Sequence, residues 1–234
     1  MKNKESFETV EEDFIEKSFS PVENNRSSSK ELERIKKYSD ENLNLIFNKL
    51  NTKDEEEKRN IIVNLIAALD YYIHEIIIWG ITQITLNGFP KTERYEKLEI
   101  SINYLKDIKE KNSFDNPKLK RAIIEKIRKN TFQKWKDIKE GLSLILRDDI
   151  NKKIGKLTTS STESKAIFQV RDLTLINEKR NLIVHHFDRA YEKDAQRNTF
   201  DIDCQKSYDL IKVIIESIHK IIEEYDETQP ENDF

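Results

Sequence analysis

Glycine and proline are scarce, with four of each in 234 residues. So few turn and breaker residues leave little room for the many short strands of a sandwich or barrel, and they favour long helices. A single cysteine, Cys204, excludes an intrachain disulfide and suits a reducing compartment. Positive charge is not in excess: the net charge of −3 supplies no global field to draw in nucleic acid, so any RNA contact has to come from a local patch. Long hydrophobic runs are missing as well. The most apolar stretch, Ile73 to Leu86, is interrupted by His74, Glu75, Thr82 and Gln83, whereas a bilayer span needs roughly 20 apolar residues. The N-terminus is polar and acidic, without a secretory pattern. The expectation is a cytoplasmic protein that engages no membrane.

What the chain does contain is charge and apolar side chains in equal share, 36% each. That balance fits an all-α bundle whose helices each carry one apolar stripe and one charged face. Residues 1–29 are rich in Glu, Asn and Ser and read as a flexible arm, and residues 227–234 as a disordered tail. Ile35, Leu43, Ile46 and Leu50 recur at helical spacing and predict a helix over 30–50, which a charged stretch to Arg59 either continues or turns away from. This helix either packs on the bundle or binds a partner. Residues 60–87 predict a central helix with a broad apolar face from Ile62 to Ile84, ended by Asn87-Gly88-Phe89-Pro90. Thr92 resembles an N-cap for a helix through about Lys111, followed by a loop over 112–117. Further helices are predicted over 118–130, 132–146 and 166–186, with a polar Ser/Thr-rich connection over 148–163. A polar excursion over 187–201 leads to Asp203, which caps a last amphipathic helix to about Tyr225, carried by Leu210, Ile211, Ile214, Ile215, Ile218, Ile221 and Ile222.

The helix over 166–186 carries two stripes. Leu173, Ile176, Ile183 and Val184 form an apolar one. Asn177, Arg180, Asn181 and His185 stand at relative positions 0, 3, 4 and 8 and project from neighbouring turns of one face. With Leu182, Ile183 and Val184 beside them, the helix is expected to be buried on its other side. These residue types suit phosphodiester cleavage. An imidazole titrates near neutral pH and can take the proton of a ribose 2′-hydroxyl. A fixed guanidinium stabilises charge building on the phosphoryl oxygens. An Asn amide can bond phosphate or orient the imidazole. The chemistry needs no metal or cofactor, and no carboxylate cluster is evident around His185 to hold one. Spacing alone equally permits a structural network inside a bundle.

Three segments give the pattern a context. They are Leu65-Ile66-Ala67-Ala68-Leu69-Asp70-Tyr71-Tyr72-Ile73-His74-Glu75-Ile76; Ile124 to Ile145 with Phe132-Gln133-Lys134; and Glu178-Lys179-Arg180-Asn181-Leu182-Ile183-Val184-His185-His186-Phe187-Asp188, followed by the turn Gln196 to Asp203. With them, residues from about 60 to 226 resemble the HEPN superfamily, most closely its RiboL-PSP-type branch. The third segment is the most specific, matching the family's Arg-Asn-x3-His signature. The resemblance implies an antiparallel helical bundle of the HEPN type, here with an additional N-terminal helix. It implies a homodimer in which two motifs face each other across one RNA-cleaving cleft, with Arg180, Asn181 and His185 as active-site residues. It also implies a toxin or antiviral effector, restrained by an antitoxin or a defence-complex partner. The alternative is a catalytically silent module that binds RNA or protein. Some relatives carry, two residues after the motif His, a Tyr that a partner nucleotidyltransferase modifies; Phe187 stands there in this chain, which argues against that mode of silencing.

Other residues are secondary candidates. Asp70 and Glu75 either reach the cleft to orient Arg180 or His185, or form a local pair with His74 at the bundle edge. His186 is about 100° around the helix from His185 and either points off the site or complements the helix C-terminus. Asp188 either forms a turn or meets substrate. Lys126, Arg128, Lys129, Lys134, Trp135 and Lys136 lie in a basic stretch with interleaved aromatics, suited to an RNA backbone and a stacked base, although the aromatics equally suit the core.

Overall fold

The computed structural model describes residues 28–99, 116–147, 150–153, 170–189 and 200–227. Among the described residues the fold is all-α, with no strand. In chain order the helices are α1 (Ser28–Phe47), α2 (Glu55–Leu86), α3 (Glu93–Glu96), α4 (Asn116–Ile127), α5 (Trp135–Leu142), α6 (Val170–His186) and α7 (Cys204–Glu227). The segments 1–27 and 228–234, most of the connection at 148–163 and the excursion at 190–199 lie outside the described residues.

Helix α2 is the centre: α1, α4, α5, α6 and α7 all pack on it. The run Ile76 to Ile84 is buried without a break, so the whole circumference of this part of the helix is covered. By length and composition α2 is apolar enough to cross a membrane, which the interrupted run does not suggest. Its apolarity is accounted for by burial, since each large side chain taken from water contributes about 1.5–3 kcal/mol. The helix starts at Glu55 rather than near Asn60. Asp54 is the reason: its carboxylate accepts the Glu56 amide at 2.7 Å, and Glu55, Glu56 and Glu57 complement the helix N-terminus.

Helix α1 folds back on α2 through a turn closed by Leu50 N–H to Phe47 O at 3.1 Å. Leu32, Ile35, Leu43 and Ile46 are buried against α2 and α7, so the N-terminal helix packs on the bundle. The glycines of α2 and α5 permit close packing there. A Cβ on Gly80 would meet Ile145 at 2.6 Å, and one on Gly141 would collide with Ile77 Cδ1 and with Phe132.

Two helices are shorter than their periodicity suggests. Thr92 does cap α3, accepting from the Tyr95 amide at 3.0 Å, but its hydroxyl also donates to Leu144 O at 2.9 Å and the helix ends at Glu96. Residues 97–99 are not helical, and 100–111 lie outside the described residues. The helix expected over 132–146 is confined to Trp135–Leu142. Before it, the Phe132 amide is held by the Asp70 carboxylate; after it, the backbone tightens into turns, with Leu144 N–H to Gly141 O and Ile145 N–H to Leu142 O, each at 3.0 Å. The last helix follows its sequence signals. Asp203 Oδ1 accepts the Lys206 amide at 3.0 Å, and Ile211, Ile214, Ile215, Ile218, Ile221 and Ile222 are buried.

Candidate active site

Helix α6 presents the motif, and its two stripes are arranged differently from the expectation. Leu173 and Ile176 are buried, but Ile183 is only half-buried and Val184 is 44% exposed. The polar stripe changes in burial along its length. Asn177 is 2% exposed, Arg180 and Asn181 are half-buried, and His185 is exposed. The stripe therefore runs from the core to the surface as α6 approaches its C-terminus.

Within it, Arg180 Nη1 donates to the Asn181 carboxamide oxygen at 2.9 Å. Arg180 Nε and Asn177 Oδ1 are buried without a hydrogen-bond partner among the described residues. Such groups are costly to leave unsatisfied. The His185 ring lies edge-on to His186, with centroids 6.4 Å apart. His186 is half-buried in the last turn, where its carbonyl accepts the Arg189 amide at 3.0 Å. Apolar surface flanks the imidazole: Val184 precedes it, and Phe187 is 71% exposed.

Among the described residues no hydrogen bond or ion pair joins Asp70 or Glu75 to this motif. Asp70 accepts the Phe132 amide and lies 3.8 Å from His74 Nδ1, so it ties the loop before α5 to α2. His74 is within hydrogen-bond distance of Asp70 O at 2.7 Å and Asn130 O at 3.2 Å. Glu75 is largely buried beside Arg34, Glu31, Arg128 and His74, on the side of α2 that meets α1, and burial raises its carboxyl above the usual range. Next to it, burial and the Glu75 charge push the Tyr71 hydroxyl up to about 12.

The basic stretch separates into two parts. Lys126, Arg128, Lys129, Lys134 and Lys136 are exposed, where a polyanion can meet them. Trp135 is not available for base stacking: it is 6% exposed, and its indole N–H donates to Asn151 Oδ1 at 2.9 Å. The apolar pattern of α5 turns it into the core with Ile138 and Leu142.

Arg59 and Asp188 matter to the motif helix, and sequence reasoning missed that. Asp188 is fully buried, its Oδ2 accepting from Arg59 Nε at 2.8 Å and its Oδ1 pairing with Lys179 Nζ at 2.9 Å. The signal for Arg59 was present: it stands in helical register with Ile62 and Ile66, an arginine on the core face. Nothing in the polar stretch around Asp188 marks it. Among the described residues no group of three His, Cys, Asp or Glu side chains is placed to hold a metal ion. No family model, curated protein or solved structure matches the chain.

Proposed function

We propose that the chain is a metal-independent endoribonuclease with Arg180, Asn181 and His185 as its site. The observation that carries this reading is the contrast within α6: a half-buried guanidinium steered by Asn181 at 2.9 Å, its Nε without a partner among the described residues, on the same helix end as an exposed imidazole. A guanidinium held in place and an accessible imidazole on one helix suit phosphoryl transfer.

In this mechanism the imidazole of His185 takes the proton from a ribose 2′-hydroxyl. The 2′-oxygen forms a bond to the adjacent phosphorus, the bond from phosphorus to the 5′-oxygen breaks, and that oxygen takes a proton from water or from the second imidazole of the dimer, while His185 returns its proton to solvent. The products are a 2′,3′-cyclic phosphate and a 5′-hydroxyl. Arg180 stabilises the charge on the non-bridging oxygens as it builds. The working unit is a homodimer. Val184 and Phe187 place exposed apolar surface beside His185. A second copy across the motif would cover it and supply a second imidazole to the cleft. The biological setting we propose is a toxin or antiviral effector, carrying the HEPN-type signature and restrained by an antitoxin or a partner protein.

The test is RNA cleavage by purified protein in EDTA, for the wild type beside Arg180→Ala and His185→Ala. Cleavage by the wild type alone supports the reading. Equal cleavage by His185→Ala sinks the assignment to this site. Tight RNA binding without cleavage by any of the three points to a silent binding module instead.

A further inference from the structure

The turn that ends α6 holds strained backbone. Phe187 and Asp188 have φ of 52° and 58°, two successive left-handed residues of which neither is glycine. Residues with side chains persist in that region only where the surroundings hold them. Here the holding group is identifiable. The Asp188 carboxylate is 0% exposed and divided between two cations, Arg59 Nε at 2.8 Å on Oδ2 and Lys179 Nζ at 2.9 Å on Oδ1. Arg59 is itself 2% exposed. The Phe200 ring closes the cluster, 5.8 Å from the Arg59 guanidinium and 5.7 Å from the Lys179 ammonium. Glu55 and Asp201 complete it from the exposed rim, at 3.5 Å from Arg59 and 3.2 Å from Lys179. The backbone is pinned as well, by Asp188 N–H to Leu182 O at 3.0 Å.

Stability alone does not call for this construction. A buried ion pair is matched or exceeded by apolar side chains of the same volume, and glycine would make the turn without strain. What the construction does accomplish is geometric. It joins the first turns of α2 to a residue that follows His185 closely, and it turns Phe187 out to solvent at 71% exposure. We propose, on the basis of the nuclease reading, that Asp188 is a positioning residue: clamped by Arg59 and Lys179, it locks the turn that sets where His185 stands at the cleft.

The test combines kinetics with a signal that does not depend on cleavage. Asp188→Asn keeps the shape of the side chain and tolerates the left-handed backbone, but removes the charge that holds Arg59 and Lys179. The expected result is a fall in kcat on the order of 100-fold with little change in KM, the signature of a misplaced reacting group. Arg59→Met should repeat it, and Arg59→Lys should restore part of the rate. In NMR spectra the His185 ring signal should move or broaden in Asp188→Asn, while that of the distant His219 stays in place. Lys179→Gln, which leaves the Arg59 pair intact, gives a smaller version of both effects and serves if Asp188→Asn does not fold. An unchanged kcat together with an unmoved His185 signal in a folded variant overturns the proposal. If the wild type cleaves no RNA, the nuclease reading fails, and the His185 signal still decides whether Asp188 positions the ring.

Discussion

Arg180 Nη1 donates to the carboxamide oxygen of Asn181 at 2.9 Å, so each residue of the motif's first pair fixes the other. An arginine side chain otherwise loses considerable rotamer freedom when it meets a phosphate. The neighbouring amide removes part of that freedom beforehand. Asn181→Ala is therefore expected to lower cleavage by about 10–100-fold by loosening the guanidinium. Asn181→Asp should be more damaging, because a carboxylate would hold the guanidinium away from the phosphate. Rates for the two variants at matched RNA concentration check this order. Faster cleavage by Asn181→Asp than by Asn181→Ala would contradict it.

The exposed cations and the buried indole of the basic stretch should separate cleanly. Replacing Lys126, Arg128 and Lys129 together by Ala is expected to weaken RNA binding for all sequences. It should also flatten the dependence of log K on log salt by about 0.7 for each phosphate that is no longer neutralised. Trp135→Phe removes the indole bond to Asn151 and should lower the melting temperature without changing RNA affinity in the folded protein. A selective loss of affinity in Trp135→Phe would mean that the indole reaches RNA after all.

His219 provides a pH dependence of stability. Its Nδ1 is 3.1 Å from the Tyr72 hydroxyl and its Nε2 is 3.3 Å from Glu223. Burial first, then the charge of Lys36, lowers its pKa from 6.5 to about 4, with Asp40 opposing. Burial likewise holds the Tyr72 phenol well above its usual value. The unfolded chain therefore binds a proton that the folded chain refuses between pH 4 and pH 6.5. Stability from this group is fully present above pH 6.5 and is lost as pH falls toward 4, amounting to roughly 3 kcal/mol across the window. Denaturant titrations of wild type and His219→Gln at several pH values check it. The difference between the two should shrink on acidification, and a difference independent of pH would contradict the account.

The seam between α2 and α5 predicts a paired effect. Gly141→Ala drives a methyl group into Ile77 Cδ1 and Phe132, both buried. Overpacking of this kind costs about 1–3 kcal/mol. Ile77→Val removes the Cδ1 atom, so in the double variant part of the loss should return. A double-mutant cycle of unfolding free energies reads the coupling directly. Simple additivity would mean that the two residues do not meet.

How far the fold is legible in the sequence depends on where each signal sits. The helices α2 and α7 are read correctly in type because their apolar positions repeat over many turns, and Asp203 marks its helix by an interaction local in sequence. Thr92 marks the start of α3 in the same local way, but the end of α3 at Glu96 and the bounds of α5 are not legible. Thr92 bonds Leu144 and Phe132 bonds Asp70, and such long-range partners leave no periodic trace. The same holds at the motif. Asn177, Arg180, Asn181 and His185 are visible as a spaced set, but the passage from buried Asn177 to exposed His185 depends on which elements cover each turn of α6, and the spacing does not encode that. Asp188 is the limiting case. It belongs to a polar stretch by composition, and only its pairing with Arg59 across the fold reveals a buried charge.

Which atoms react can be read from the chemistry of the product ends. Wild-type protein is incubated with an end-labelled RNA in EDTA, beside His185→Ala and beside the same RNA carrying a 2′-deoxy sugar at the cleavage position. The wild type should leave 2′,3′-cyclic phosphate and 5′-hydroxyl ends on RNA, with no cut in either comparison. Cleavage at the 2′-deoxy position, or undiminished cleavage by His185→Ala, would contradict this mechanism.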